Sequence, residues 1–275
     1  MSAGPDSDGA PVANGFLCSY PKSGRTWIRF AMAHLLNSIH DLRLDVDLGS
    51  LFKLLPNMDG PEADPGKDVS AYAYAEQLDV PLLLSSHLPF EERLFSRRPI
   101  VFLLRSPLDV LVSNYFQKTR QDRSWDGELR AFVRDPGVGT PDLVRYLNRW
   151  ADALTQPDVM VLSYEGLRAD PEHGFIRLTA HLGVSCGPAE ARAALAQASF
   201  PNMLASELRT GVRGYDYDRR DPEARRVRRG RIGGYRDYLD ADDVRYVADV
   251  CAEQLSPAAR AVLQRHGLAP WHHGA

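Results

Sequence analysis

Short apolar segments alternate with helix-forming segments along this chain, and this alternation restricts the fold more than any other feature of the sequence. The first pair is a predicted buried strand at residues 16–19 and a helix at 26–39, whose apolar residues recur every three or four positions. Further short strands are predicted at 82–85, 100–104 and 159–162. Strands joined through helices run parallel to one another. The sequence therefore predicts an α/β fold with a central, mainly parallel sheet flanked by helices.

The remaining segments indicate a single domain. Helices are predicted at 107–120 and 142–154, and the last third of the chain is mostly helical. Small polar residues predict a disordered leader at 1–14, so we expect one domain over residues 15–270. Three prolines and two glycines predict a surface loop at 56–68.

Composition excludes several classes of protein. The chain has 275 residues, 44% hydrophobic and 25% charged, which is typical of a folded domain and not of a fibrous or disordered chain. The net charge of −3 argues against a surface devoted to nucleic acid. The N-terminus lacks a signal-peptide pattern, the longest apolar run (100–104) is too short to cross a membrane, and the three cysteines fit neither a disulfide framework nor a zinc site. We therefore expect a cytoplasmic protein that acts without a membrane, nucleic acid or metal.

One stretch of the chain departs from this balance of charge. Between residues 209 and 236 there are ten arginines and four acids, a local excess of six positive charges. The stretch is rich in glycine and poor in core residues, which predicts a mobile lid over residues 205–236 that orders when a ligand binds. We expect an anionic partner there, and a solvated tail or a nucleic-acid patch is the alternative interpretation.

The loop after the first strand is Tyr20-Pro21-Lys22-Ser23-Gly24-Arg25-Thr26-Trp27. In parallel α/β sheets, ligands bind beyond the carboxyl ends of the strands, where the next helix presents backbone N–H groups to anions. Gly24 permits close approach of a ligand, Lys22 adds a positive charge, and Thr26 is expected to cap the helix or to donate to a phosphate oxygen. The loop lacks the G-x-x-x-x-G-K-[ST] spacing of a Walker A motif, which disfavours an ordinary ATPase or GTPase. By itself the loop fits a plain helix entry as well as a phosphate site.

Several motifs of the chain, taken in order, resemble those of the cytosolic-type sulfotransferases, which use 3′-phosphoadenosine 5′-phosphosulfate (PAPS) as sulfuryl donor. The loop at 20–27 resembles the 5′-phosphosulfate loop of that family, and Ser85-Ser86-His87-Leu88-Pro89 resembles the element that carries its catalytic histidine. The segment at 105–113 and the sequence Arg228-Arg229-Gly230 resemble the two 3′-phosphate elements. Tyr164-Glu165-Gly166-Leu167 and Ser199-Phe200 resemble segments that lie near the adenine.

The resemblance implies a fold, a donor and a set of binding residues. The fold is a P-loop-like, three-layer α/β fold. The donor is PAPS, which leaves as 3′-phosphoadenosine 5′-phosphate (PAP), and no metal is implied. The implied donor-binding residues are Lys22, Ser23, Gly24, Arg25, Thr26, Trp27, Arg105, Ser113, Tyr164, Phe200, Arg228, Arg229 and Gly230.

The resemblance also implies catalytic roles for His87, Lys22 and Ser113. In-line sulfuryl transfer needs a base for the acceptor hydroxyl and a cation for the charge that develops on the leaving phosphate. His87 fits the base, because a reference pKa of about 6.5 leaves it largely neutral. Lys22 fits the cation, and Ser113 is implied to contact this lysine and to restrain hydrolysis of the donor. Outside these motifs each residue would have a structural explanation, such as a hydrogen-bonded core histidine.

Apolar and aromatic residues of the variable segments suggest the acceptor. We expect Phe52, Tyr72, Phe90, Tyr115 and Phe116 to contribute to its walls, although each also fits a place in the core. Such walls favour a small phenolic or otherwise hydrophobic hydroxyl compound. The preferred interpretation is a bacterial enzyme that modifies a natural product. The C-terminal region lacks the short dimer motif of animal relatives, so the sequence does not decide the oligomeric state.

Two other functions are compatible with parts of the sequence. One is a P-loop-like ATP-dependent kinase, which the missing Walker spacing and the lack of an evident carboxylate pair for Mg²⁺ disfavour. The other is a non-catalytic nucleotide- or nucleic-acid-binding module that relies on residues 209–236. The chain also departs from the family pattern at Arg25, where a small or hydroxyl residue is usual, and at Ser85, where many animal members carry lysine.

Overall fold

A four-stranded parallel sheet forms the centre of the molecule in the computed structural model, which describes residues 13–58, 80–95, 98–212 and 214–272. Its strands are β1 (Gly15–Ser19), β2 (Leu83–Ser86), β3 (Ile100–Leu104) and β4 (Val159–Ser163). They lie in the order β2-β1-β3-β4, and every neighbouring pair is parallel. All four predicted strands are therefore confirmed, with boundaries that agree to within one residue.

Helices cover both faces of this sheet and enclose two hydrophobic clusters. Phe16, Cys18 and Phe102 belong to the first cluster, whereas Leu17 and Val101 belong to the second, because successive side chains of a strand alternate between its faces. The first cluster is covered by α3 (Glu92–Phe95), α4 (Pro107–Phe116), α5 (Leu129–Arg134), α6 (Thr140–Trp150), α11 (Ala241–Gln254) and α12 (Pro257–Arg265). The second is covered by α1 (Arg25–Ile39), α2 (Leu51–Leu54), α7 (Tyr164–Ala169), α8 (Pro171–His181), α9 (Pro188–Gln197) and α10 (Phe200–Thr210). The predicted three-layer α/β fold is confirmed.

Helix ends differ from the predictions at two places. α1 begins at Arg25, and its N-cap is Gly24, which has a left-handed φ of 96°. Thr26 lies within the first turn, so its predicted capping role is wrong, because glycine turns the backbone two residues earlier. The helix predicted at 142–154 ends at Trp150 and is followed by a separate 3₁₀ turn.

The helix predicted at 107–120 changes its geometry part-way. α4 ends at Phe116, and Gln117–Gln121 continues as a π-helical turn. The side chain of Gln121 lies in the interior, where its amide nitrogen donates to the carbonyl oxygen of Ala224 at 2.7 Å. This bond to a distant segment offsets the poorer hydrogen-bond geometry of a π-helix.

Some predictions fall on residues that lie outside the described part of the chain. The predicted leader lies there up to residue 12, and the loop predicted at 56–68 lies there from residue 59 onwards. Among the helices that are described, none has the length and apolar character needed to cross a membrane. Cys186 and Cys251 carry free thiols.

A buried carboxylate in α10 holds the middle of the arginine-rich stretch. Glu207 is fully buried, with 0% of its surface exposed. It accepts hydrogen bonds from the backbone N–H groups of Arg226 and Val227, at 2.6 and 2.7 Å, and from the hydroxyl of Tyr217. A carboxylate can only accept, and these three donors satisfy it.

A second buried carboxylate, in α4, holds the end of the same stretch. Asp109 accepts hydrogen bonds from the backbone N–H groups of Gly233 and Tyr235, at 2.8 and 2.9 Å. Residues 205–210 of the predicted lid belong to α10, whereas residues 211–236 contain two short 3₁₀ segments, Pro222–Ala224 and Gly234–Asp237. The stretch therefore depends on side-chain anchors more than on regular backbone structure.

We expect Glu207→Gln to destabilise the protein, because the amide nitrogen cannot accept a hydrogen bond and leaves a buried N–H group without a partner. The free energy of unfolding should fall by about 2 kcal/mol, measured by urea denaturation. Proteolysis within residues 211–233 should become faster. Glu253→Gln, at an exposed position of α11, is the matched control, and equal stability of the two variants would contradict the anchoring role of Glu207.

Candidate active site

The strand order creates a crevice at the carboxyl ends of β1 and β3. The chain leaves β1 towards α1 on one face of the sheet and leaves β3 towards α4 on the other face, so the two loops diverge. A cavity of about 810 Å³ opens there. The predicted site residues that line it are Lys22, Gly24, Arg25, Thr26, Trp27, Phe52, His87, Arg105, Ser113, Tyr164, Phe200, Arg228, Arg229 and Gly230. The fold thus brings residues from all of the quoted motifs into one cavity.

The loop between β1 and α1 is held on two sides. Lys22 and Gly24 both have left-handed backbone conformations, with φ values of 70° and 96°. A Cβ atom at Gly24 would lie 2.7 Å from Cδ2 of Tyr164, so only glycine fits there without displacement. On the other side, Nη1 of Arg105 donates to the carbonyl oxygen of Lys22 at 3.1 Å. Ser23 is buried within the loop and does not belong to the residues that line the cavity.

Lys22 stands among other positive charges. Desolvation lowers the pKa of its amine well below the ordinary value of 10.5, and the charges of Arg226 and Arg228 lower this pKa further. Cations gathered in a desolvated site repel one another unless an anion lies between them. The electrostatics of the cavity therefore favour a ligand with several negative charges.

His87 directly follows β2 and has a fixed tautomer. Its Nδ1 lies 2.7 Å from the carbonyl oxygen of Ser19, and a carbonyl can only accept, so Nδ1 carries the proton and Nε2 carries the lone pair. Desolvation lowers the pKa of this ring well below 6.5, and the positive charge of Arg25 lowers it further. The imidazole is therefore neutral at neutral pH and presents a basic nitrogen.

Arg105 directly follows β3, and one of its three guanidinium nitrogen atoms makes no hydrogen bond to the described residues. Its Nη2 donates to the carbonyl oxygen of Arg231 at 3.3 Å, and its guanidinium lies over the ring of Tyr164, 4.7 Å from the centroid. Its buried Nε has no hydrogen-bond partner among the described residues. A buried donor of this kind, at the edge of a basic cavity, indicates a position for an anionic oxygen.

Two acidic residues, Glu223 and Asp237, pair with arginines of the stretch at 209–236. Arg228 and Arg229 share the carboxylate of Glu223, at 2.8 and 3.2 Å, and Arg229 also pairs with Asp237 at 2.6 Å. The side chain of Arg228 is 13% exposed, against 36% for Arg229. These pairs hold both guanidinium groups beside the cavity, where Arg228 is largely buried and Arg229 remains exposed.

Gly230 contacts both Phe200 and Tyr164. Its φ is 56°, and a Cβ atom there would lie 2.9 Å from Cδ2 of Phe200. Its carbonyl oxygen accepts hydrogen bonds from the hydroxyl of Tyr164 at 3.1 Å and from Nη1 of Arg168 at 2.9 Å. Two glycines thus contact two aromatic rings closely, and both rings line the cavity.

Comparison with known proteins decides the family. Residues 14–258 match the sulfotransferase domain family. This chain belongs to the PAPS-dependent sulfotransferases. It is 26% identical to human sulfotransferase 2A1 over 201 residues, which are 70% of this chain and 67% of the relative. The family that the motifs predict is therefore confirmed.

Two solved structures share the fold of this sulfotransferase. One is a retinol dehydratase in complex with androsterone and the inactive cofactor PAP, with a TM-score of 0.65, 17% identity, and coverage of 90% of this chain and 82% of that chain. The other is mouse sulfotransferase SULT7A1 complexed with PAP, with a TM-score of 0.64, 18% identity, and coverage of 92% and 89%. At these identities the likeness establishes the architecture.

The structure of this sulfotransferase places some of the residues expected in the acceptor walls at the cavity and others in the core. Phe52 lines the cavity, and Tyr72 lies outside the described residues. Phe90, Tyr115 and Phe116 pack in or against the first hydrophobic cluster and are not among the residues that line the cavity. Neighbouring aromatic rings enclose these three, with centroid separations of 5.0–5.6 Å. Phe90, Tyr115 and Phe116 therefore lie in or against the core and not at the cavity wall where they were expected.

The sequence interpretation gave no role to Asp109 or Glu207, the two carboxylates that hold the arginine-rich stretch of this sulfotransferase. Asp109 is a charged residue within an apolar helical run, which is a signal that the charge is satisfied internally. Glu207 has no comparable signal. Ser85, at the position where many animal members carry lysine, is fully buried and donates to Oδ1 of Asn57 at 2.8 Å. In the described part of the chain, no group of three or more histidine, cysteine or acidic side chains could hold a metal ion.

Alanine substitutions at two glycines separate backbone strain from the contact with Tyr164. Gly24 and Gly183 both have positive φ, 96° and 73°, but a Cβ atom at Gly183 would meet nothing within 4 Å. We expect each alanine variant to lose about 1 kcal/mol of stability through strain. Gly24→Ala should in addition weaken PAP binding by about tenfold or more, because the loop or Tyr164 must move. Thermal unfolding and calorimetric titration measure the two effects, and equal PAP affinities would contradict the role of the Gly24 contact.

Proposed function

We propose that this enzyme transfers the sulfuryl group of PAPS to a hydroxyl group of a small acceptor, with His87 as the general base. The observation that carries the proposal is that His87 and Lys22 line one cavity, together with the arginines expected at the donor. A neutral histidine supplies the base, and the cations supply charge complementary to a nucleotide bisphosphate. Both are requirements of in-line transfer.

The 5′ end of the donor is assigned to the loop at 22–27. The first turn of α1 presents backbone N–H groups there, and a helix N-terminus favours an anion. Lys22 adds a charge whose pKa is lowered by desolvation and by the neighbouring arginines. Arg25 and Thr26 line the same side of the cavity, where they are available to phosphate or sulfuryl oxygens.

The 3′-phosphate is assigned to Arg105, Ser113, Arg228, Arg229 and Gly230. The buried Nε of Arg105, which has no partner in the described part of the chain, supports this assignment. Paired guanidinium groups bind phosphate through several charge-assisted hydrogen bonds at once. The arginine-rich stretch at 211–236 would then act as a lid over the donor.

The adenine is assigned to the part of the cavity lined by Tyr164 and Phe200. The close contacts that Gly24 and Gly230 make with these rings hold them in place and support the assignment. An exposed aromatic ring such as Phe200, which is 36% exposed, gains contact area when a base stacks on it. The two solved structures of similar fold contain PAP, which supports the same class of ligand here.

The chemical step divides between two side chains. Nε2 of His87 accepts the proton of the acceptor hydroxyl while that oxygen bonds to sulfur and the bond from sulfur to the phosphate oxygen breaks. Lys22, in its protonated form, offsets the negative charge that grows on the leaving phosphate, and the donor's own charge raises the pKa of this lysine towards that form. Ser113 is assigned the role of holding Lys22 away from the donor until the acceptor arrives.

The acceptor is proposed to be a small phenolic or otherwise hydrophobic hydroxyl compound. Leu48, Leu51 and Phe52 line the cavity and support an apolar portion. The similar structure that contains androsterone supports a small molecule in this class of site. A natural product modified in a bacterial cytoplasm is part of the same proposal.

Transfer of a radioactive sulfuryl label from PAPS to a panel of phenols tests the function. His87→Ala should lower kcat by about 10²–10⁴-fold, because the acceptor proton loses its base, while PAP affinity stays close to that of the wild type. His173→Ala, at an exposed histidine of α8, should keep full activity. Wild-type turnover in His87→Ala would remove this residue from the mechanism, and metal-dependent turnover of ATP without label transfer would contradict the proposed reaction.

The pH dependence of kcat/KM tests the lowered pKa of His87. The base is active when neutral, and a group with a pKa well below 6.5 becomes protonated only at lower pH. The rate should therefore stay level as pH falls through 6.5 and decrease only below it. Arg25→Gln removes a charge that lowers this pKa, so the decrease should move to higher pH. An acid limb at or above pH 6.5 in the wild type would contradict the desolvated, neutral histidine.

A further inference from the structure

Two buried amide side chains that line the cavity have oxygen atoms without a hydrogen-bond partner among the described residues. Asn114 in α4 and Gln121 in the π-helical turn both line the cavity and are 3% and 6% exposed. Neither Oδ1 of Asn114 nor Oε1 of Gln121 has a partner within the residues that the structure describes. Such atoms are rare, because a buried acceptor that loses water and gains no donor is unfavourable. A ligand that donates to these oxygens would satisfy them.

The orientation of Gln121 is fixed by the other end of its amide. Its Nε2 donates to the carbonyl oxygen of Ala224 at 2.7 Å, and a carbonyl can accept but cannot donate. Nitrogen and oxygen therefore cannot exchange places, and Oε1 remains the atom without a donor. The π-helical turn that carries this residue is a helix distortion often found at functional sites.

Neighbouring charges decide which donors fit. Lys118 and Asp122 pair at 3.1 Å, and Arg226 donates to Oε1 of Gln117 at 3.0 Å. All four residues line the same cavity. The carboxylate is already paired with a lysine, and the guanidinium adds positive charge, so an ammonium donor is disfavoured. Neutral hydroxyl groups suit both oxygens.

We infer that the acceptor carries hydroxyl groups besides the one that receives the sulfuryl group, and that Asn114 and Gln121 bind them. The inference rests on the function proposed above. It narrows the acceptor from any hydrophobic hydroxyl compound to a polyhydroxylated one, with its apolar part against Leu48, Leu51 and Phe52. A plain hydrocarbon frame would leave both oxygens unsatisfied in the complex, which is a strong basis for discrimination.

Isosteric apolar substitutions test this role. Asn114→Leu and Gln121→Met keep the size of the side chains and remove the oxygens. The probes are 4-propylphenol and 3-(4-hydroxyphenyl)propane-1,2-diol, which share one phenol and differ by two hydroxyl groups. We expect the wild type to prefer the diol by about tenfold or more in kcat/KM, and each variant to lose about tenfold of that preference, the value of one hydrogen bond. 3-(4-Hydroxyphenyl)propylamine, which carries an ammonium, should show no such preference.

Matched variants separate a binding role from a structural one. Asn114→Asp retains an acceptor oxygen and should keep the preference for the diol. Gln121→Glu is unsuitable for this purpose, because it would set an acceptor oxygen against the carbonyl oxygen of Ala224. Gln197→Met makes the same chemical change at an exposed position of α9 and should leave both rates unchanged. Thermal unfolding and PAP titration establish that each variant is folded and binds the donor.

Three results would overturn the inference. If the preference for the diol is unchanged in both apolar variants, the inference fails but the proposed sulfuryl transfer stands. A parallel loss of PAP affinity would assign the two amides to the donor instead, and a preference for the amine over the diol would contradict the choice of a neutral ligand. If neither phenol is turned over, the proposed transfer fails separately, and calorimetric binding of the same pair to the PAP-loaded protein still decides the inference.

Discussion

The separation of two loops at the carboxyl edge of the sheet is the constraint on which the rest of the structure depends. β1 occupies a central position between β2 and β3, and the helices that follow β1 and β3 lie on opposite faces. The loops must therefore diverge, and the gap between them becomes the cavity. Arg105 bridges the gap through its bond to the carbonyl oxygen of Lys22, so the two sides keep a fixed distance.

Positive charge fills this gap, and buried carboxylates make that arrangement possible. Lys22, Arg105 and Arg228 all line the cavity, where their mutual repulsion opposes folding. Glu207 and Asp109 offset part of this cost, since each fixes backbone N–H groups of the arginine-rich stretch. A bound anion would relieve the remaining repulsion. A site that is unfavourable when empty and favourable with a bisphosphate is well suited to a lid that closes on its donor.

The parts of the molecule that the sequence predicted are those governed by local pattern. Apolar runs of four or five residues identified every strand, because strands buried on both faces need continuous apolar side chains. The motif series led to the family, and fourteen of the predicted site residues line the cavity. The exceptions depend on distant contacts: Thr26 does not cap α1 because Gly24 takes the turn, and the helix after β3 becomes π-helical where Gln121 reaches Ala224. Phe90, Tyr115 and Phe116 were expected at the cavity but pack with the first hydrophobic cluster, because an aromatic residue fits a core and a pocket equally well in sequence.

The sequence by itself determined the α/β alternation, the family and the charged groups that are proposed to bind the donor. These follow from periodicity and from motifs whose spacing is fixed along the chain. Tertiary structure alone decided which charges are satisfied and which are not. The internal bonds of Glu207 and Asp109, the unpartnered Nε of Arg105 and the unsatisfied oxygens of Asn114 and Gln121 arise from contacts or gaps between distant segments. A sequence lists donors and acceptors, but only the packed fold shows which of them have met a partner and lost water, and that balance fixes their energy.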